Sequence, residues 1–303
     1  MNESLYKYMK VGLVHFMAFP ATIKGEGPVV ETVRKIVLDD YFSAIEITTV
    51  KDAGERETVK KMLESSHMTV AYGAQPRLLT TGLNINDLNE DGRLQAIANL
   101  KQGIDEAYEV GASSFAFLSG TYEESTKEES FQALVKSTKQ VCAYAATKGK
   151  MKIALEVFDY DVDKKSLIGP VSLALRYAKE IRQEYVSFGL MVDLSHIPLI
   201  HETIEESLLP VKDYIVHAHI GNCVVKSPDM PAYGDVHPRF GFPNGENDVD
   251  EVVDYLRLLL KIGFLNTEKP PVVSFEIRPF GDEDPEIVIA NAKRTLNEAW
   301  ARV

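Results

Sequence analysis

The chain has 303 residues, and 45% of them are hydrophobic, which is enough to build a large buried core. Its 33 basic and 45 acidic residues give a net charge of −12, so the chain repels phosphate backbones and extended nucleic-acid binding is not expected. The two cysteines, Cys142 and Cys223, stand in dissimilar contexts and indicate neither a disulfide framework nor a thiolate zinc site; a reducing cytoplasm is favoured.

The sequence carries no sign of export, of a membrane span or of a second domain. The segment Met1 to Lys10 is polar and lacks the apolar core of a signal peptide. The apolar runs are far shorter than the about 18 residues that a spanning helix needs. No low-complexity tract or linker rich in proline, glycine and serine divides the chain, so one domain over residues 1–303 is predicted.

Short apolar runs of strand length alternate with longer segments of helical periodicity along the whole chain. In chain order, the predicted elements are a strand at Val11–Met17, a helix at Pro28–Tyr41, a strand at Ser43–Ile47, a helix at Asp52–Leu63, a strand at Met68–Tyr72, a helix at Asp87–Val110, a strand at Ser114–Leu118, a helix at Glu124–Lys148, a strand at Lys152–Phe158, a helix at Val171–Gln183, a strand at Ser187–Asp193, a helix at Thr203–Leu209, a strand at Tyr214–Ile220, a helix at Asp248–Ile262, a strand at Pro271–Ile277 and a helix at Pro285–Trp300.

Repeated strand–helix units of this kind predict an α/β protein with a single (β/α)8 TIM barrel. An open doubly wound sheet is the competing architecture, and it would usually carry a glycine-rich phosphate turn after an early strand. Neither G-x-G-x-x-G nor G-x-x-x-x-G-K-S/T occurs in the sequence. Residues 221–247 lack periodicity, and a loop of that length in a compact domain is usually functional or disordered.

Three carboxylates and one imidazole stand in or at the end of the fifth to eighth predicted strands: Glu156, Asp193, His219 and Glu276. The carboxyl ends of barrel strands converge on one mouth, so these side chains are expected to meet. Each carboxylate taken alone could instead pair with an arginine or lysine. Burying three of them without a cation is expensive, however, and the set predicts one divalent metal. Its oxygen-rich donors suit Mn²⁺ best, with Mg²⁺, Co²⁺ or Zn²⁺ as alternatives.

Further polar residues are candidates for substrate contact. His196 follows Asp193 by three positions and could hold a substrate hydroxyl or a second metal, or simply cap the next helix. In the long loop, Asp235 and His237 could supply ligands or substrate contacts, and Arg239 could neutralise a carboxylate or phosphate; a loop salt bridge is the alternative. His15, at the end of the first predicted strand, is either a pocket residue or an ordinary core histidine.

The order Glu156, Asp193-x-x-His196, His219, Glu276 resembles that of the xylose-isomerase-like TIM barrels. This superfamily includes sugar isomerases, ketose 3-epimerases, hydroxypyruvate-isomerase-like proteins, inosose dehydratases and relatives of endonuclease IV. The resemblance extends from Val11 to the last helix. It implies that the Glu, Asp, His and Glu of this order bind one metal and that His196 contacts substrate.

Two departures from the family pattern bear on function. Endonuclease IV relatives need further metal histidines at the ends of the second and third strands, where this chain has Thr48-Thr49 and Tyr72 to Gln75. An endonuclease-like activity is therefore disfavoured, although Asp235-Val-His237 is similar to the Asp-x-His that those enzymes use for a further metal. The epimerases usually place an arginine soon after the metal histidine, and here Arg239 or Lys226 would have to take that part.

The resemblance implies a metal-dependent sugar isomerase or epimerase in which Glu156 and Glu276 form the acid/base pair. The alternative is a lyase of the C-glycoside deglycosidase type, acting on 3-oxo-glycosides, in which His196 or His237 is the base. The stretches Phe158–Pro170 and His237–Gly241 are similar to that subgroup. An epimerase of this kind is expected to be a homo-oligomer, and the lyase to work with a small β-rich partner subunit. A non-catalytic barrel is a further alternative, against which the complete ligand set argues.

Overall fold

Eight parallel strands form a nearly closed barrel in the computed structural model, which describes residues 3–303. Met1 and Asn2, the first residues of the polar N-terminal segment considered above, lie outside the described residues. The strands are β1 (Lys10–Leu13), β2 (Ala44–Ile47), β3 (Thr69–Gly73), β4 (Ser114–Leu118), β5 (Lys152–Glu156), β6 (Gly189–Asp193), β7 (Ile215–Gly221) and β8 (Val272–Glu276). Every predicted strand is present, and the predicted (β/α)8 barrel is confirmed.

Hydrogen-bonded neighbours in the sheet follow the order β1-β8-β7-β6-β5-β4-β3-β2. The seam between β1 and β2 is bridged by single contacts rather than by a ladder. Val14 pairs with Glu46 in one parallel bridge, and the N–H of Ser43 donates to the carbonyl oxygen of Val11 at 2.9 Å. Because all the strands run in one direction, their carboxyl ends surround a single mouth.

The α-helices of the described chain include three short ones that the sequence did not predict. The helices are α1 (His15–Ala18), α2 (Val29–Val37), α3 (Ala53–Ser66), α4 (Gln75–Leu79), α5 (Glu90–Glu109), α6 (Lys127–Lys148), α7 (Val171–Arg182), α8 (His196–Leu199), α9 (Ile204–Leu208), α10 (Val249–Lys261) and α11 (Pro285–Arg302). The short helices α1, α4 and α8 closely follow β1, β3 and β6, and one turn is too short to show a helical period. The first predicted strand therefore ends at Leu13 rather than at Met17. Among residues 3–303 no helix combines the length and apolarity that crossing a bilayer requires.

The two faces of the barrel strands differ in composition, and the difference leaves room for a polar interior. Alternate residues of a strand point to opposite faces. One set packs with the helices in the main core and includes Val11, Ile45, Phe115 and Phe275. The opposite set contains small residues such as Ala116 and Ala154, with Met191, in a separate cluster. The small side chains free space inside the barrel for the polar groups described below.

The loop after β7 is long, as predicted, and it is held by two asparagines. Asn222 Oδ1 accepts from the N–H groups of Cys223 and Asn247, each at 2.9 Å. The side-chain amide of Asn247 donates to the carbonyl oxygens of Leu194 and Gly221, each at 3.1 Å. Both asparagines are buried, so the ends of the loop are tied to the ends of β6 and β7.

The barrel seam yields a stability prediction. A Cβ atom on Gly12 would lie 2.3 Å from Ser274 Oγ and 3.3 Å from Ala44 Cβ, on the strands at either side of β1. We expect Gly12→Ala to lower the free energy of unfolding by about 1–3 kcal/mol, measured by urea denaturation, because overpacking a barrel interior forces its strands apart. The matched change Gly54→Ala, in exposed helix α3, should leave stability equal or higher. Equal stabilities of the two variants would contradict the packing described here.

Candidate metal centre at the mouth of the barrel

Four side chains from neighbouring strands converge at the carboxyl end of the barrel. Glu156, Asp193 and Glu276 are the last residues of β5, β6 and β8, and His219 lies on β7 in register with Asp193. His219 Nδ1 lies 2.7 Å from Glu276 Oε2, 3.3 Å from Glu156 Oε1 and 3.6 Å from Asp193 Oδ2. One ligand atom from each residue lies within 4.8 Å of those of the others. All four residues are buried.

The same four atoms have no hydrogen-bond partner among the described residues: Glu156 Oε1, Asp193 Oδ2, His219 Nδ1 and Glu276 Oε2. Buried polar atoms are normally paired, and a buried carboxylate without a counter-charge is especially costly. A divalent cation at the centre of the group would satisfy all four atoms at once. Three carboxylate oxygens and one imidazole nitrogen suit Mn²⁺, Mg²⁺, Co²⁺ or Zn²⁺, so the residues present fit a metal ion.

The carboxylates of Glu156 and Asp193 are oriented through their second oxygens. Gln75, the first residue of α4, donates from Nε2 to Glu156 Oε2 at 2.6 Å. The backbone N–H of Ser195 donates to Asp193 Oδ1 at 2.6 Å. In each carboxylate one oxygen is held, which turns the other toward the centre. Outer hydrogen bonds of this kind orient metal ligands in proteins generally.

The imidazole of His219 is held in the same way by Glu46, which the sequence analysis missed. Glu46 Oε1 lies 3.0 Å from His219 Nε2 and 2.6 Å from His217 Nε2. Burial raises the pKa of Glu46, but the charges of His217 and His219 outweigh it and hold that pKa well below its usual range. The sequence does offer one signal for this role, because Glu46 is a carboxylate within the apolar run Ser43–Ile47, one position before its end.

A second polar group adjoins the first and consists of His196, Asp235 and His237. Asp235 Oδ1 lies 3.0 Å from His196 Nε2 and 2.7 Å from His237 Nε2. His196 Nδ1 lies 2.8 Å from the carbonyl oxygen of Val157, so both of its ring nitrogens face acceptors. The arrangement makes His196 a hydrogen-bond donor on both sides. The structure thus brings together three of the residues predicted for substrate contact.

The charged side chains of the two groups shift the pKa values of one another. Burial raises the pKa of Glu276 to about 7; the positive charges of His237 and His219 oppose this shift, and Glu156 adds to it. Burial lowers the pKa of His237, but Glu276, Asp235 and Asp193 outweigh it and raise that pKa to about 9. Strong mutual perturbation of buried groups is typical of functional sites.

Two other predicted contact residues have partners outside these groups. His15 lies on α1 rather than at the end of a strand; it bonds Thr32 Oγ1 at 2.7 Å and packs on Phe19. Arg239 donates from Nε to Glu283 Oε1 at 2.8 Å, and its side chain is 34% exposed. The contacts of His15 are those of an ordinary core histidine, and the contact of Arg239 is a loop salt bridge, which are the alternatives given for these residues in the sequence analysis.

Comparisons with known proteins agree with the fold. The family model of the xylose isomerase-like TIM barrel matches residues 38–294. Comparison with functionally curated proteins gives no significant match.

Several solved structures share the fold. The IolI protein with a bound zinc atom is 18% identical, with a TM-score of 0.71, and the match covers 97% of this chain and 99% of that one. L-ribulose 3-epimerase is 14% identical, with a TM-score of 0.71 and coverage of 97% and 96%. The 3-keto-D-glucoside 4-epimerase YcjR from E. coli is 17% identical, with a TM-score of 0.64 and coverage of 97% and 99%. At such identities the likeness establishes the fold, and with the family model it shows that the chain belongs to the xylose isomerase-like TIM barrel family.

Proposed function

We propose that this chain is a divalent-metal-dependent sugar isomerase or epimerase that moves a proton at a carbon beside a carbonyl. The observation that carries the proposal is the set of four buried, unpartnered atoms contributed by Glu156, Asp193, His219 and Glu276. When bound, the metal supplies Lewis acidity that stabilises negative charge on the carbonyl oxygen of the substrate. Mn²⁺ is our first choice for this oxygen-rich donor set.

Glu276 and Glu156 are proposed as the acid/base pair, and their carboxylate oxygens differ in how many are free to face the substrate. Glu156 has Oε2 held by Gln75, so only Oε1 is available, whereas Glu276 Oε2 faces His219 Nδ1 and Glu276 Oε1 lies 3.6 Å from His237 Nε2, beyond hydrogen-bond distance. Glu276 is also the more exposed of the two, at 7% against 1%. We therefore assign proton removal to Glu276, which can turn one oxygen toward substrate. Proton return from the opposite side falls to Glu156.

The adjoining histidines are proposed to orient the sugar. His237 Nε2 is buried and lies 2.7 Å from Asp235 Oδ1 without a well-aligned hydrogen bond to it, and 3.6 Å from Glu276 Oε1. A substrate hydroxyl between His237 and Glu276 would satisfy that nitrogen. His196, fixed between Val157 and Asp235, presents a rigid edge beside it. The long loop that carries Asp235 and His237 then excludes water from the reacting carbon.

A lyase acting on 3-oxo-glycosides is the second candidate. It is supported by the fold neighbour described as a 3-keto-D-glucoside 4-epimerase, whose substrate has an oxidised sugar ring. In that reaction the neutral imidazole of His237, which predominates only above its pKa of about 9, would take the proton at Nε2, and the aglycone would leave. An endonuclease-like site is disfavoured because the ends of β2 and β3 carry Thr48-Thr49 and Tyr72 to Gln75 instead of the further metal histidines that such a site needs.

Removing the unconstrained carboxylate tests the proposed acid/base pair. Glu276→Gln is expected to lower kcat/KM by about 10²–10⁴-fold, because the amide cannot accept the proton, and to weaken metal binding. Metal content by mass spectrometry and turnover of ketoses measure the two effects. Glu286→Gln, at an exposed position of α11, is the matched control and should change neither. A metal-free wild-type protein that remains active would contradict the proposal.

Loss of the carboxylate behind His219 should affect the metal rather than the substrate. Glu46→Gln is expected to weaken Mn²⁺ binding by about 10–100-fold, as is typical when an outer hydrogen-bond partner of a metal ligand is lost. Titration calorimetry measures the dissociation constant. Glu109→Gln, on the surface of α5, is the control. An unchanged Mn²⁺ affinity in Glu46→Gln would rule out this role for Glu46.

Solvent exchange separates the two candidate reactions. Incubated in D₂O with ketoses, the wild-type protein should place deuterium on the carbon beside the carbonyl, detected by NMR, and EDTA should abolish the exchange. The lyase instead predicts release of an aglycone from 3-oxo-glycosides and a small co-purifying subunit. Failure of both assays with metal-loaded protein would remove both candidates and favour a binding barrel.

A further inference from the structure

The side chain of Lys164 joins the second polar group at the barrel mouth. Its Nζ lies 2.9 Å from Asp235 Oδ2, while Oδ1 of the same carboxylate faces the two imidazoles of His196 and His237. The carboxylate of Asp235 is thus shared between one ammonium and two imidazoles. Asp235 and both histidines are buried, and the side chain of Lys164 is only 22% exposed.

Lys164 has a distinctive place in the charge balance of the mouth. Within the part of the chain that the structure describes, it is the one lysine or arginine whose nitrogen lies within 4.0 Å of any carboxylate of the two groups or of the Glu46 that supports them. The carboxylates concerned are Glu46, Glu156, Asp193, Asp235 and Glu276. Its contact is with Asp235, so the fixed positive charge lies beside the second group and not beside the four converging atoms.

The loop that carries Lys164 is fixed by internal hydrogen bonds. The carboxylate of Asp159, which is fully buried, accepts from the backbone N–H of Val162 at 2.9 Å, of Asp163 at 2.6 Å and of Lys164 at 2.8 Å. Nζ of Lys164 also lies 2.8 Å from Asp163 Oδ2. The ammonium is therefore positioned by the protein itself, without any bound ligand.

The second group contains donors that would suit a metal ion. Two of its members, His196 and His237, each have one ligand atom within 4.8 Å of a ligand atom of Asp193, which belongs to the first group, and Asp235 Oδ1 lies 3.0 Å and 2.7 Å from the Nε2 atoms of the same two histidines. His237 Nε2 is buried without a hydrogen-bond partner, although Asp235 lies close to it. Imidazole and carboxylate groups in this combination hold divalent transition metals in many proteins. What distinguishes this group from the first is the ammonium already beside its carboxylate.

We propose that Lys164 supplies to Asp235 the positive charge that a second metal ion would otherwise supply, and so limits the mouth of the barrel to one metal. The proposal deepens and rests on the proposed metal-dependent function. In the wild-type protein Asp235 is neutralised by Lys164, His196 stays fixed between Val157 and Asp235, and His237 stays available to substrate. Without the ammonium, only the two histidines face the Asp235 carboxylate, and the three side chains together attract a further divalent cation.

The test counts Mn²⁺ ions rather than turnover. Wild-type protein, Lys164→Met and Lys165→Met are dialysed to equilibrium against Mn²⁺, and bound metal per chain is measured by mass spectrometry. Lys165 is the adjacent, exposed lysine and serves as the matched control. We expect Lys164→Met to bind one more Mn²⁺ per chain than the wild type, and Lys165→Met to bind the same number. Electron paramagnetic resonance of Lys164→Met should show the coupling of two neighbouring Mn²⁺ ions.

Further variants keep the outcome decisive. Lys164→Arg retains the charge and should keep the wild-type metal count, and Asp235→Asn added to Lys164→Met should abolish the extra ion. If Lys164→Met does not fold, Lys164→Gln is measured in its place. A folded Lys164→Met or Lys164→Gln with no gain of metal over wild type overturns the inference, as does a wild type that already binds two ions. A wild-type protein that has neither metal nor activity refutes the proposed function instead. The inference about Lys164 is tested separately, because it depends only on the difference in bound Mn²⁺ between variant and wild type.

Discussion

The accumulation of buried negative charge at the mouth of the barrel is the constraint on which the rest of this structure depends. Glu46, Glu156, Asp193, Asp235 and Glu276 are all at least nine-tenths buried. Carboxylates taken out of water need a positive partner nearby. Histidines and one lysine supply part of this positive charge. The four converging atoms, which have no hydrogen-bond partners, mark the place where positive charge is still lacking.

Strands and loops contribute different parts of the mouth of the barrel. Strand ends present the four converging atoms, and their positions are fixed by the ladder, as the pairing of Asp193 with His219 shows. Loops and short helices then hold the remaining atom of a ligand, as Gln75 does for Glu156. The second group is built largely from loops, and loops can change without disturbing the barrel. Substrate choice in this chain is therefore expected to depend on the His196, Asp235 and His237 group.

Much of this arrangement could be predicted from the sequence because it depends on local patterns. Strand and helix periodicity gave the barrel, and the barrel alone brings the ends of β5 to β8 together. Gln75 and Lys164 could not be predicted in this way, since their roles depend on where a short helix and an irregular loop fold back over the mouth. His15 was misplaced for a related reason: the apolar run after β1 continues into the one-turn helix α1, which has no sequence period.

The central claim is that one divalent metal joins Glu156, Asp193, His219 and Glu276. The most direct measurement is an anomalous difference map from crystals of the Mn²⁺-loaded protein, recorded at the manganese absorption edge. We expect one strong peak among those four side chains and none between His196, Asp235 and His237. A map with no peak at the four side chains, or with the strongest peak at the second group, would contradict a single metal at this position.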